Sequence, residues 1–105
     1  MSLRSNRFLT LAALIVTGTA LAQEPSREAT LTAMRLARDY GAPVILDLDY
    51  RAYSWTSREE AARICLQAAH LADATIGNDD EFGLLAGSHD RGPGLAADLA
   101  HAALF

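Results

Sequence analysis

The sequence predicts an α/β fold, a parallel sheet with flanking helices, as a partial three-strand βα segment forming one unit. Three observations predict it. Apolar runs of strand type begin near Ala13, Val44 and Ala74, about one βα unit apart. A segment with helical periodicity follows each, and strand alternating with helix is the mark of a parallel sheet with crossover helices. The central run, Val44-Ile45-Leu46-Asp47-Leu48-Asp49-Tyr50-Arg51-Ala52-Tyr53-Ser54-Trp55, brings two carboxylates, an arginine, two tyrosines and a tryptophan to its carboxyl end. In open parallel sheets, ligands bind in the crevice outside those ends.

Taken in order, Leu14-Ile15-Val16-Thr17 is the first strand, with Gly18-Thr19 as a tight turn at its carboxyl end. The same region also reads as a secretory signal peptide. Arg4 and Arg7 precede the apolar residues 8–22, which end Ala20-Leu21-Ala22-Gln23, a cleavage pattern that would leave a chain starting at Gln23. Pro25-Ser26-Arg27-Glu28 opens a helix to Tyr40, with Leu31, Met34, Leu36 and Ala37 as its apolar stripe and Gly41 as a left-handed C-cap. Residues 44–48 form the second strand. Ser57 caps the next helix, with Glu60 as its capping-box partner, and Ile64, Leu66, Ala68 and Leu71 carry it to Ala72. Ala74-Thr75-Ile76 is a third, short strand. Asn78-Asp79-Asp80-Glu81 starts a helix through Leu85 that ends at Gly87. After the turn Gly92-Pro93-Gly94, an alanine-rich final helix covers residues 95–104.

The chain has 105 residues, half of them apolar, enough for one small domain with a core. A net charge of -4 without a basic run excludes a nucleic-acid surface. The single Cys65 lies between Ile64 and Leu66 and reads as a small buried hydrophobe. His70, His89 and His101 have no metal-ligand spacing.

Asp47, Asp49 and Arg51 alternate by two, so in an extended chain they share one face. Arginine's planar fork suits a carboxylate or phosphate, and the aspartates suit hydroxyls or a cation. An equally good reading pairs Arg51 with Asp49 on the surface. Asn78 and Glu81, read from residues alone, are an N-cap and its capping-box partner.

Four segments in order give more. Ile15-Val16-Thr17-Gly18-Thr19-Ala20-Leu21, Glu24-Pro25-Ser26-Arg27, Asp47-Leu48-Asp49-Tyr50-Arg51 with Ser54-Trp55, and Gly77-Asn78-Asp79-Asp80-Glu81-Phe82 together resemble the pfkB/ribokinase family of carbohydrate kinases. The resemblance spans about residues 13–87 and favours the strand over the signal peptide at residues 14–17. It implies a ribokinase-like, Rossmann-like sheet and ATP-dependent phosphorylation of a sugar acid. The substrate it implies is 5-dehydro-2-deoxygluconate, of inositol catabolism, with 2-keto-3-deoxygluconate or another sugar as alternatives. ATP and Mg²⁺ are the implied cofactors, with Asn78 and Glu81 organising the nucleotide phosphates and, through water, the magnesium. Arg51, with Asp49 nearby, would face the acidic sugar, and Arg27 would face the same crevice. Tyr53 and Trp55 are expected to pack.

The family's Gly-Ala-Gly-Asp motif, which supplies an anion hole and the catalytic aspartate, has no counterpart. Gly92-Pro93-Gly94-Leu95 lacks the aspartate, so no catalytic residue is assigned in this chain. The expectation is therefore the central fragment of a kinase, cytoplasmic and inactive alone. Its partners would be a sugar acid and ATP, with a homo-oligomer or a complementing kinase fragment as the protein partner and neither nucleic acid nor membrane. A small exported binding protein and a helical interaction module are the other classes considered.

Overall fold

A computed structural model describes residues 13–99 and the backbone of Ala102–Leu104. Strand β1 is Leu14–Thr17, helix α1 Ser26–Asp39, β2 Val44–Asp47, α2 Arg58–Leu71, β3 Ala74–Gly77, α3 Asp79–Ala86, α4 Gly92–Asp98 and β4 Ala102–Leu104. The sheet is parallel throughout, in the order β1-β2-β3-β4, with Leu14 opposite Val44, Leu46 opposite Thr75 and Thr75 opposite Ala102. Parallel neighbours in sequence order are joined by right-handed crossovers, which stack the connecting helices on one face.

Val16, Val44, Leu46, Leu48 and Thr75 are buried on that face, against Leu31 and Met34 of α1 and Ala61, Ile64, Cys65 and Ala68 of α2. Phe82, Leu84 and Leu85 of α3 complete the core. Alternation along the strands puts Ile15, Ile45 and Ile76 on the opposite face, where Ile15 is 67% exposed. Leu36, expected in the α1 stripe, is instead exposed. Two positions beyond Met34 is about 200° around the helix axis, away from the sheet.

The end of the chain departs most from expectation. The last helix is α4, starting at Gly92 and ending at Asp98, and residues 102–104 are a fourth strand rather than helix. The helix starts early because Gly92 packs against α3: a side chain there would come within 2.8 Å of the Gly83 amide nitrogen. It stops early because Leu99 turns extended and buries itself, and the backbone of Ala102–Leu104 finds ladder partners on the edge of β3. Tertiary pairing overrides alanine's helix preference.

Candidate functional site at the carboxyl ends of the strands

At the end of β1 the chain turns through a 3₁₀ segment, Gly18–Leu21. Gly18 is required there, since a Cβ would collide with the Leu48 carbonyl. Beside it, Leu48 continues the ladder one residue past β2, donating its N–H to Ile76 O at 2.9 Å. The extended path stops at the next residue. Asp49 has φ of 35°, the left-handed region that L residues other than Asn and Asp rarely enter. The single extended face expected for Asp47, Asp49 and Arg51 is therefore broken at Asp49.

Past that turn, the Tyr50 N–H donates to Glu81 Oε2 at 2.6 Å. The other carboxylate oxygen, Oε1, accepts the Asn78 N–H at 3.0 Å, and Asn78 Oδ1 accepts the Glu81 N–H at 2.9 Å. Asn78 and Glu81 thus form a complete capping box at the start of α3. Gly77 keeps the approach open, because a Cβ there would lie 2.7 Å from Leu48 Cδ1 and 3.4 Å from Glu81 Oε1. Arg51 Nε and Nη2 each lie 3.0 Å from Asp49 Oδ1, and the arginine side chain is 55% exposed. The geometry brings Asp49, Arg51, Asn78 and Glu81 to one end of the sheet, with Glu81 joining the two loops.

Arg27 sits behind this rim. Its Nε donates to Leu21 O at 2.8 Å, Nη2 to Ala22 O at 2.9 Å and Nη1 to Glu60 Oε1 at 3.1 Å. The guanidinium carbon also lies 5.8 Å from the centre of a Trp55 ring. All three guanidinium nitrogens are committed to protein, so Arg27 ties the turn after β1 to α1 and α2. This changes the expected cap of α2. Ser57 Oγ accepts the Glu60 N–H at 3.1 Å, but the Glu60 carboxylate turns to Arg27 instead of closing the box. A carboxylate bond to a charged guanidinium, with both partners ionised, outcompetes the same carboxylate's bond to a neutral backbone N–H. The Arg27 guanidinium, with help from Thr56, holds the Glu60 carboxyl below its ordinary value. Trp55 is buried as expected, although its Nε1 has no acceptor among the described residues, whereas Tyr53, also expected to pack, is 86% exposed.

Cys65 lies beneath the rim, and burial pushes its thiol up to about 12, with the Glu81 charge adding to the effect. Sequence reasoning missed the Arg27–Glu60 pair and the Tyr50–Glu81 bond. Their partners are 33 and 31 residues apart, so neither carries a local signal.

No family model matches the chain. The chain is similar to 5-dehydro-2-deoxygluconokinase of Bacillus licheniformis, 49% identical over 72 residues, which are 69% of this chain and 22% of that protein. It is also similar to the protein of the same name from Shouchella clausii, 42% identical over 89 residues, 85% of this chain and 27% of that one. Among solved structures, a fructokinase double mutant from Vibrio cholerae O395, in its fructose, ADP and potassium ion bound form, superposes with a TM-score of 0.76. It is 27% identical, over 87% of this chain and 31% of that one. These residues belong to the pfkB/ribokinase family of sugar kinases. The sheet with its flanking helices is the ribokinase-like arrangement of those kinases. Aminoimidazole riboside kinase from Salmonella enterica shares the fold, at a TM-score of 0.74 over 86% of this chain. The chain spans about a quarter of the length of the curated relatives, 22% and 27% in the two cases above. Those relatives and structural neighbours are carbohydrate kinases.

Proposed function

We propose that this chain is the central portion of an ATP-dependent sugar-acid kinase whose substrate is 5-dehydro-2-deoxygluconate. One observation carries the reading. The Glu81 carboxylate joins the loop bearing Asp49 and Arg51 to the loop bearing Asn78, so candidate sugar and phosphate groups share one end of the sheet. The names of the relatives support the substrate class.

In this reading Arg51 holds the substrate carboxylate and Asp49 orients both the arginine and a sugar hydroxyl. The pair already formed between them keeps the guanidinium fork in place. Arg27 serves from behind, fixing the turn after β1 against α2. Asn78 and Glu81 face the nucleotide phosphates. An ionised carboxylate has about four acceptor sites, and two of those on Glu81 take backbone N–H groups. The rest suit the waters of a hydrated Mg²⁺, an ion that keeps several waters and takes few carboxylates. When bound, that ion would neutralise phosphate charge as the phosphoryl group passes from ATP to the sugar hydroxyl. The general base and the anion hole lie in the Gly-Ala-Gly-Asp motif, which this sequence does not contain, so the isolated chain would not turn over.

The same reading places the protein in the cytoplasm. Among the described residues no helix is long and apolar enough to cross a membrane. It also makes the remainder of a kinase domain, or a second copy, the protein partner, with the apolar face around Ile15 as the surface to be covered.

Steady-state kinetics test the site in a full-length relative carrying residues 13–87 of this chain. Arg51→Lys should lower kcat/KM for the sugar acid about ten- to a hundred-fold, or about 1.5–3 kcal/mol, because lysine cannot reproduce the fork. The KM for ATP should barely move. Unchanged sugar-acid constants would return Arg51 to a surface ion pair with Asp49.

A further inference from the structure

We propose that Glu81 is the positioning residue of the sugar-acid loop: by accepting the Tyr50 N–H, its carboxylate holds the left-handed turn at Asp49 and so sets the Asp49–Arg51 pair. The inference deepens the reading above and rests on it for the role of Arg51. A capping box needs only one carboxylate oxygen, and Oε1 on the Asn78 N–H provides that. The second oxygen reaches across to a different loop, 31 residues away in sequence, and makes the shorter of the two bonds, 2.6 Å against 3.0 Å.

The loop needs such a hold. Aspartate enters positive φ more readily than most residues, but still at a cost relative to the extended chain, and such positions gather at ligand sites. On one side of Asp49, Leu48 is fixed by its N–H to Ile76 O at 2.9 Å and by Gly18 packed on its carbonyl. On the other side, the 3₁₀ turn Ala52–Ser54 is closed by the Ser54 N–H on Arg51 O at 2.9 Å. Between these anchors the Tyr50 N–H points to Glu81, and the two nitrogens of Arg51 rest on Asp49. Leu48 Cδ1 and Glu81 Oε1 both approach the bare face of Gly77, so the absence of a side chain there lets the carboxylate come between the loops. One carboxylate then serves both halves of the site, and its loss reaches the sugar acid as well as the nucleotide.

Amide hydrogen exchange on the chain itself, resolved at single residues, tests the hold. Glu81→Ala should speed exchange at the Tyr50 amide about ten- to a hundred-fold, the loss of a charge-assisted bond. Asn78→Ala removes the cap on the Glu81 N–H but leaves the carboxylate on Tyr50, so it should speed the first amides of α3 and spare Tyr50. A Tyr50 amide unmoved by Glu81→Ala, or moved equally by Asn78→Ala, would overturn the proposal. In a full-length kinase carrying this segment, Glu81→Ala should raise the sugar-acid KM together with the Mg²⁺ requirement. If Arg51→Lys raises that KM while Glu81→Ala leaves it alone, positioning by Glu81 is overturned. If Arg51→Lys itself does nothing, the failure belongs to the sugar-acid reading of Arg51.

Discussion

Single residues beneath and behind the rim have measurable consequences for stability. The Cys65 thiol is the group whose burial couples stability to alkaline pH. Because burial raises the folded thiol from 9.0 to about 12, the native chain keeps its proton where the unfolded chain releases it. Stability from this source is intact below pH 9 and falls as the pH rises from 9 toward 12. Urea midpoints over that range should decline for the parent and decline less for Cys65→Ala, and the native thiol should react with a disulfide reagent far more slowly than free cysteine. Glu60 works in the opposite direction. Arg27 depresses its folded pKa below 4.5, so its contribution is present above pH 4.5 and disappears as the pH drops through the folded value. Glu60→Gln should therefore flatten the acid limb of the urea stability curve. Single-residue legibility was uneven. Arg51, Asp49, Asn78 and Glu81 stood out because their types and spacing are local properties. The partners of Arg27 and the second bond of Glu81 did not, because only the fold brings residues 33 and 31 positions apart together.

At the scale of elements, the close approach of the first two strand ends depends on Gly18. Gly18→Ala would drive a methyl into the Leu48 carbonyl, a backbone atom that cannot step aside, and should cost about 1–3 kcal/mol in urea unfolding. Asn78→Ala should cost about 1 kcal/mol through loss of the α3 cap. Strands β1 to β3 and helices α1 to α3 were legible in the sequence because apolar period, caps and glycines agreed: Ser57 before α2, Asn78 before α3, Gly41 and Gly87 in left-handed conformations. The last segment was not. Alanine-rich residues 95–104 have helical preference throughout, and what cuts the helix at Asp98 is the unpaired edge of β3, which no local pattern announces. Likewise the step from Leu48 into Asp49 reads as a continuing strand, since alternation persists in the sequence while the backbone has already turned.

At the scale of the whole molecule, one face of the sheet is packed by helices and the other carries Ile15, Ile45 and Ile76, with Ile15 largely exposed. The chain spans 22% of the Bacillus licheniformis relative, and under the proposed function the remainder of a kinase domain packs on this face. Ile15→Ala should then change the stability of the isolated chain by no more than about 0.5 kcal/mol. In a full-length kinase carrying the segment the same substitution should cost about 2–5 kcal/mol, as for a buried isoleucine. The central claim, that these residues are a working portion of a sugar-acid kinase, is tested most directly by ADP release. The measurement compares the isolated chain with a full-length relative in which residues 13–87 replace the native segment, each given 5-dehydro-2-deoxygluconate, ATP and Mg²⁺. The account predicts substrate-dependent turnover in the full-length protein and none in the isolated chain. A folded full-length protein that releases no ADP, or an isolated chain with robust turnover, would contradict it.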